Sequence, residues 1–548
     1  MKRIYTVLGL LALTLSLQAQ QSKLEYIHTD DHMGIFKIGS LAGEFMRTEP
    51  VPGNKVLYVL HAVDGDLRVT EKSHVAINTQ SRFVNILSNE KRSVALFQNP
   101  STQETDMVNI SASGRLSTHQ AYADNPNDLH YWSSITDARM DEKGFLYVSR
   151  TYHVFEDDKK RRYSERGVEV LCFGTEFELK WARKFKTPSE KVSFVMDQIV
   201  PFNGGCVAMI SENSRTDKAF TTGLHFINAR GNILGKYELK KEGDTYYPTS
   251  FKVDGSNLIA CGMYFDEPWY KAINSAGMFF TKLDATGKEV FLQTQDWKGI
   301  DETINAGTSS DFLFSGKMKV LVHDIYKSAN GYSVICESYQ KASGVTGAEL
   351  IVGSDDGNNK RSFSIFDFIV FDFDAGGKLL KSRKIAKESR NIEVVGSVAY
   401  TRGVELSFIL RDNFLFSYRY VANNQLVYMN LEETEPVLFW ADLTTGKVLK
   451  KMPIKIEPEI INEEDPNTRE IINNSKTLSG LEKFANKMDQ VDKKLEDVGE
   501  GIERGISKTD QVFYIGSPKL SGLIYLGNDV NINYLLFPSQ SELYLKKM

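Results

Sequence analysis

The chain is a succession of short apolar runs broken by polar turn-formers and glycine, and runs bounded in this way read as β-strands. One turn signature recurs at least five times. It reads Ser111-Ala112-Ser113-Gly114-Arg115-Leu116, Asn228-Ala229-Arg230-Gly231-Asn232-Ile233, Asp284-Ala285-Thr286-Gly287-Lys288, Asp374-Ala375-Gly376-Gly377-Lys378-Leu379 and Asp442-Leu443-Thr444-Thr445-Gly446-Lys447-Val448. Each copy places a polar turn-former, then Gly, then a residue that restarts an apolar run, which is the chemistry of a β-hairpin. A second element precedes each signature, a polar-Gly turn leading into a strand of apolar and small residues, as in Asn203-Gly204-Gly205-Cys206-Val207 and Asn330-Gly331-Tyr332-Ser333-Val334. Such near-continuous apolar strands suit positions covered on both faces.

Together these elements define one repeating unit. Its clearest copy predicts strands over 249–253, 258–264, 277–283 and 288–293. Four short antiparallel strands in about 50 residues make one blade of a β-propeller. The 117 residues from Ser111 to Asn228 leave room for one more copy, and Phe173-Gly174-Thr175-Glu176-Phe177-Glu178-Leu179 fits there with its Gly replaced. A further unit is expected where the chain closes, from runs at 55–61 and 67–69 around Asp64-Gly65-Asp66 and from runs at 512–515, 522–526 and 532–537. Pairing both chain ends in one blade removes exposed sheet edges. The predicted fold is therefore all-β, a propeller of seven blades, with six or eight as the alternatives.

Two stretches break the rhythm. Gly353-Ser354-Asp355-Asp356-Gly357-Asn358-Asn359 belongs to a long insertion between predicted strands and is expected to be a surface loop. Between Pro466 and Lys508, Leu478, Leu481, Phe484, Ala485, Met488, Val491, Leu495, Val498 and Ile502 recur at steps of three and four, the pattern of an amphipathic helix. The expected organisation is a leader at 1–19, blades over 20–465, a helical insertion over 466–508, and closing strands over 509–548.

The leader is read from Lys2 and Arg3 ahead of an apolar stretch, Ile4 to Leu17, with a small residue at Ala19. It predicts export, to the periplasm or outside a Gram-negative cell. Later in the chain no apolar run approaches the length of a membrane-spanning helix. A hydrophobic fraction of 41% supplies material for a core, and a formal net charge of −5 over 548 residues gives no field that would attract nucleic acid. Cys172, Cys206, Cys261 and Cys336 each lie inside an apolar strand and read as small buried hydrophobes; Cys261 and Cys336 hold the same slot in successive units, too far apart to bond.

Candidate chemistry is sparse. The sequence contains no Gly-x-Ser-x-Gly, His-Glu-x-x-His, Gly-x-x-x-x-Gly-Lys or Cys-x-x-Cys, and no cofactor is predicted. His28, Asp30 and His32 group possible metal ligands, although such a polar run is more often a solvated turn. Asp355 to Asn359 lacks the alternation and terminal Glu of a calcium loop. The candidate ligand-binding residues are aromatic and acidic: Asp266, Glu267, Trp269 and Tyr270 in one interstrand loop, and Tyr131 and Trp132 ahead of another blade, with Tyr246-Tyr247 and Asp296-Trp297 at crossings between blades. Exposed rings beside carboxylates stack on sugars or anchor peptides, while rings at crossings also serve simply to pack blades together.

The Gly-led strand followed by the Asp-x-x-Gly-Lys hairpin, as in Asn330-Gly331-Tyr332 with Asp374-Ala375-Gly376-Gly377-Lys378, resembles secreted bacterial β-propeller proteins, including propeller families defined only as domains of unknown function. The resemblance covers residues 50–455 and concerns architecture; no functional residue is carried over. Two readings follow. One is a non-enzymatic binding or scaffold propeller of the envelope, with a protein, peptide or glycan ligand. The other is a propeller hydrolase with carboxylates converging near the central channel, acting on a glycan or peptide.

Overall fold

The computed structural model describes residues 21–25, 32–38, 41–63, 69–122, 131–156, 163–214, 219–266, 275–297, 299–300, 318–341, 360–387, 390–395, 419–422, 424–432, 435–453, 524–525, 534–538 and 542–547. These residues form 34 strands. The only helical positions among them are the short turn at Trp297, Gly299 and Ile300. The Gly353 loop and the helix expected at 478–502 lie outside the described residues, as does the leader.

The strands assemble into antiparallel sheets of consecutive strands, numbered here I to VII in chain order: residues 32–78, 82–122, 131–186, 192–238, 240–296, 318–395 and 419–453. An eighth sheet joins Ile524–Tyr525, Tyr534–Pro538 and Glu542–Lys547 to Gln21–Glu25, which pairs along Glu542–Lys547 from Gln21↔Lys546 to Glu25↔Glu542. The chain ends thus share one sheet, as edge protection requires. The described strands fall into eight sheets, since residues 32–78 complete a sheet of their own and the closing sheet takes its fourth strand from Gln21–Glu25. In sheet V the strands are Asp244–Asp254, Asn257–Phe265, Gly277–Leu283 and Glu289–Asp296, each close to its predicted range.

Among the described residues, six hydrophobic layers hold the sheets together, each between two successive sheets. Leu60 and Phe97 meet between I and II, Leu96 and Leu146 between II and III, and Val170 and Ile199 between III and IV. Phe226 and Phe279, Phe280 and Phe373, and Phe368 and Tyr428 occupy the next three. Alternate residues of one strand serve opposite layers: Cys206 and Ala208 face sheet III while Val207 and Met209 face sheet V. This is why the second strands read as continuous apolar runs; Arg92–Gln98 is buried at every position. First strands of neighbouring sheets also lie against each other, in I and II, II and III, III and IV, and V and VI. Consecutive four-stranded sheets packed face to face, with both chain ends in one sheet, constitute a β-propeller.

The recurring turn does two jobs. In every copy the amide of its first residue donates to the carbonyl that closes the hairpin, as Asp284 does to Lys288, and a left-handed glycine donates back, as Gly287 does to Asp284. The Asp284 side chain accepts from the amides of Thr286 and Lys288, and Asn228 and Asp374 do the same in their copies. The glycine also faces the preceding sheet: a Cβ on Gly231 would meet Trp181 at 2.9 Å, one on Gly287 would meet Phe226 at 2.6 Å, and one on Gly377 would strike Phe291.

The degenerate copy is present at Gly174–Glu178. Phe177 takes the left-handed position with φ +64°, is buried, and lies under the Arg92 guanidinium at 5.3 Å. Glu178 replaces the missing first side chain by accepting from the Glu176 amide.

All four cysteines are free and buried. Cys261 and Cys336, in equivalent strands of successive sheets, are unbonded and line a single layer, and Cys172 and Cys206 line another. Burial pushes the Cys172 thiol up to about 12 and raises the others as well. The native protein is therefore expected to resist thiol-specific labelling at neutral pH and to expose four reactive thiols on unfolding; rapid native labelling would contradict this packing. Ala at Gly287 should destabilise by more than the about 1–2 kcal/mol of left-handed strain alone. Ala at Gly255, where φ is +60° and nothing lies within 4 Å, should cost only that strain, as chemical denaturation would show.

Candidate functional site

The two ends of the sheets differ. At one end first and second strands, and third and fourth strands, are joined by short turns, most of which carry a glycine. At the other end lie the links from second to third strand and from each sheet to the next; several are short, but this end also holds the three longest, 342–359 within sheet VI, 297–317 between V and VI, and 396–418 between VI and VII. Tight turns suffice where strands only reverse, so the extra chain length has been placed at one end. Of the predicted residues, Tyr131, Trp132 and Asp266 lie at that end.

Sheet III presents an aromatic patch there. Trp132, at the start of Tyr131–Met140, is paired across the sheet with His153 in Leu146–Phe155, and His153 with Arg166 in Tyr163–Phe173, so the three share a face. The Trp132 and His153 rings are 5.2 Å apart, His153 and Tyr163 4.8 Å, and Phe155 and Tyr163 5.1 Å. Arg166 lies over the Tyr163 ring at 5.6 Å and donates to the carbonyls of Val192 and Glu190 at the start of sheet IV. Burial, followed by the charge of Arg166, lowers the His153 pKa and keeps the imidazole neutral at pH 7. His153 Nδ1 and Arg166 Nε are buried polar atoms with no protein partner. The patch thus combines ring faces, a cation and two polar atoms with hydrogen-bonding capacity to spare, the elements that stack and orient a planar or ring-shaped ligand.

Tyr131, expected beside Trp132, points into the opposite layer. It is 8% exposed, stacks on Tyr152 at 6.2 Å and donates to Glu169 at 3.4 Å. Glu169 also accepts from Arg150 Nε at 2.9 Å and Nη2 at 2.7 Å, with both side chains at most 2% exposed. Burial, reinforced by Glu169, raises the Tyr131 pKa strongly, so the phenol remains protonated. Nearer the rim, Glu165 accepts from Tyr152 and Lys186, both at 2.9 Å, and Lys186 comes first among the causes that hold its carboxyl below the usual range.

Sheet V supplies a second, acidic patch. Asp266 is exposed just beyond Asn257–Phe265, while Glu267, Trp269 and Tyr270 lie outside the described residues. Asp244, at the start of the first strand, has its pKa raised by burial and then by the charges of Asp266 and Glu242. Tyr264 lies 6.4 Å from Tyr246 and is influenced by Asp244, Asp266 and Asp296. Tyr246 and Tyr247 are buried in the layer between IV and V, and Trp297 donates to the Ser275 carbonyl at 2.9 Å, so these rings pack between blades. His28 and Asp30 lie outside the described residues, and His32 opens the first strand of sheet I. Among the described residues no three His, Cys, Asp or Glu side chains converge as a metal site would require.

Sequence patterning missed His153, Phe155, Tyr163, Arg166 and Asp244. The signal available was the alternation of His153 and Phe155 on one strand, but its meaning depends on which strands become neighbours.

The chain matches no known family description and no curated protein sequence. Among solved structures it is similar to the β-propeller domain of the trilobed protease from Pyrococcus furiosus, at 11% identity and a TM-score of 0.33, over 79% of this chain and 98% of that one. It is also similar to the periplasmic gluconolactonase of Pseudomonas aeruginosa, at 13% identity and a TM-score of 0.34 over 76% and 97% of the two chains. A third is the Dos1 propeller, at 9% identity and a TM-score of 0.35 over 96% and 94%. Likeness at this level bears on no site; sheet order and the interblade layers define the propeller architecture.

The Arg150–Glu169 pair gives a test of the interior beneath the patch. Replacing Glu169 with Ala removes the carboxylate that accepts from Arg150 Nε and Nη2 and should destabilise by about 3–5 kcal/mol. An Arg150→Met/Glu169→Leu double substitution should lose far less, as read by equilibrium unfolding.

Proposed function

We propose that the protein is a non-enzymatic binding propeller of the bacterial envelope, in which eight blades close one ring and the loop-bearing end takes a glycan or peptide. The observation that carries this reading is the aromatic and cationic patch of sheet III, where Trp132, His153, Phe155 and Tyr163 gather beside Arg166. Aromatic faces give area at low entropic cost, and the neutral imidazole with the guanidinium orients hydroxyl or carboxylate groups. The leader expected at 1–19 supports the envelope location.

A hydrolase remains the second reading, and sheet V favours it. Asp244, whose carboxyl pKa is raised by burial and then by the charges of Asp266 and Glu242, would serve as the acid. Because the folded-state pKa is raised, the acid form persists to higher pH than usual and is lost as pH rises through that value, so acid-dependent turnover would decline on the alkaline side.

Full-length protein applied to a glycan array and to peptidoglycan fragments tests both readings. Binding without product release, weakened at least about tenfold by Trp132→Ala and Tyr163→Ala, is the expected result. Product release abolished by Asp244→Asn would establish the hydrolase instead. Ligand binding indifferent to both ring substitutions would remove the sheet III patch.

A further inference from the structure

The outer strands share an irregularity that the turn signature does not announce. Just after the hairpin of each of sheets I to VII, the register against the third strand slips and one residue loses its partner. These residues are Thr70, Ser117, Lys180, Leu234, Val290, Leu380 and Leu449. A bulge at this position twists and blunts the exposed edge, which protects against edge-to-edge pairing.

That protection needs no apolar side chain, since Thr70, Ser117 and Lys180 serve in the first three sheets. In the next four consecutive sheets the bulged residue is apolar and about half exposed: Leu234 at 48%, Val290 at 57%, Leu380 at 52% and Leu449 at 55%. Ile233 and Val448, beside two of them, are exposed as well. Equivalent positions on successive blades lie at one level of the ring, so a flat surface meeting this end of the rim reaches all four together.

Charge accompanies the apolar residues. The hairpins and outer strands of sheets III to VII, residues 174–186, 228–238, 284–296, 374–385 and 442–453, contain 14 Lys or Arg against 8 Asp or Glu, in a chain whose net charge is −5. Three of those eight acids, Asp284, Asp374 and Asp442, turn their carboxylates into their own hairpins. Lys288, Lys378 and Lys447 each follow a turn glycine, and Lys450 and Lys451 follow Leu449.

We propose that the rim of sheets IV to VII docks on an anionic lipid surface, with Leu234, Val290, Leu380 and Leu449 entering the headgroup boundary and the flanking lysines meeting lipid phosphates. Apolar tips at one level among cations satisfy what an interface of this kind demands, apolar burial together with attraction to anionic headgroups. The opposite end, with its long links and aromatic patch, would then face away from the membrane.

Co-sedimentation of the full-length protein with vesicles tests this. Binding to phosphatidylcholine vesicles containing phosphatidylglycerol, weak binding to pure phosphatidylcholine, and loss with added salt are expected. A Leu234→Thr/Val290→Thr/Leu380→Ser/Leu449→Ser variant, using residue types the same position carries in sheets I and II, should keep its melting temperature and bind at least about tenfold more weakly. A Lys378→Gln/Lys447→Gln/Lys451→Gln variant should lose the preference for the anionic lipid. Absence of vesicle binding, or equal binding by the four-site variant, would overturn the proposal. So would sedimentation showing a dimer that the same four substitutions dissociate, since the belt would then join two copies of this chain.

Discussion

The contact on which the ring depends is that of a left-handed turn glycine with the outer part of the preceding blade. Gly231 against Trp181, Gly287 against Phe226 and Gly377 against Phe291 repeat one docking geometry. No Cβ fits between hairpin and ring, so the backbone itself becomes the packing surface. Polar links reinforce the same seam: Arg183 donates to the Gly231 carbonyl at 2.7 Å, and Tyr237 donates to Glu289 at 2.7 Å. The hairpin is thus both a chain reversal and the clasp between neighbouring blades. Where the clasp departs from type, as at Phe177, Arg92 compensates by donating to the carbonyls of Thr175 and Gly144.

The interior follows from that geometry. Because sheets II to VI are covered on both faces, there is no single core but a set of layers, each shared by two blades. The inner strands add their own bulges at Thr136, Asp197, Thr249 and His323. The extra residue turns toward the second strand, as Thr136 does to Ser149 and His323 to Glu337, while Asp137 reaches the Ile199 amide of the next blade at 2.9 Å. Buried polar groups in this protein therefore secure the order of the blades. Ligand chemistry is left to the rims and ends, where strand edges and links meet solvent.

Much of the fold was legible in the chain. The hairpin signature located the outer turns, its degenerate copy at Gly174, and the blade-forming strands. Their continuous apolar runs foretold coverage on both faces. The runs at 55–61 and 67–69, expected in the closing unit, instead overlap Lys55–Val63 and Val69–Asn78, which pair with His32–Ile38 and Leu41–Val51 in a sheet of their own. The site was less legible. Tyr131 and Trp132 are adjacent in sequence, yet strand alternation sends one into the layer between II and III and the other to a patch with His153 and Tyr163.

Local sequence fixed what depends on local chemistry: polar residues and glycine in hairpins, apolar strands, and cysteines placed as buried hydrophobes. Tertiary structure decided whatever depends on which strands become neighbours. It set which ring meets which, where Asp244 gains its raised pKa, and which equivalent edge positions line up as an apolar arc. A hairpin is specified by a handful of adjacent residues, whereas a site shared among strands is specified by pairing across the chain, and pairing register has no signature within any one strand.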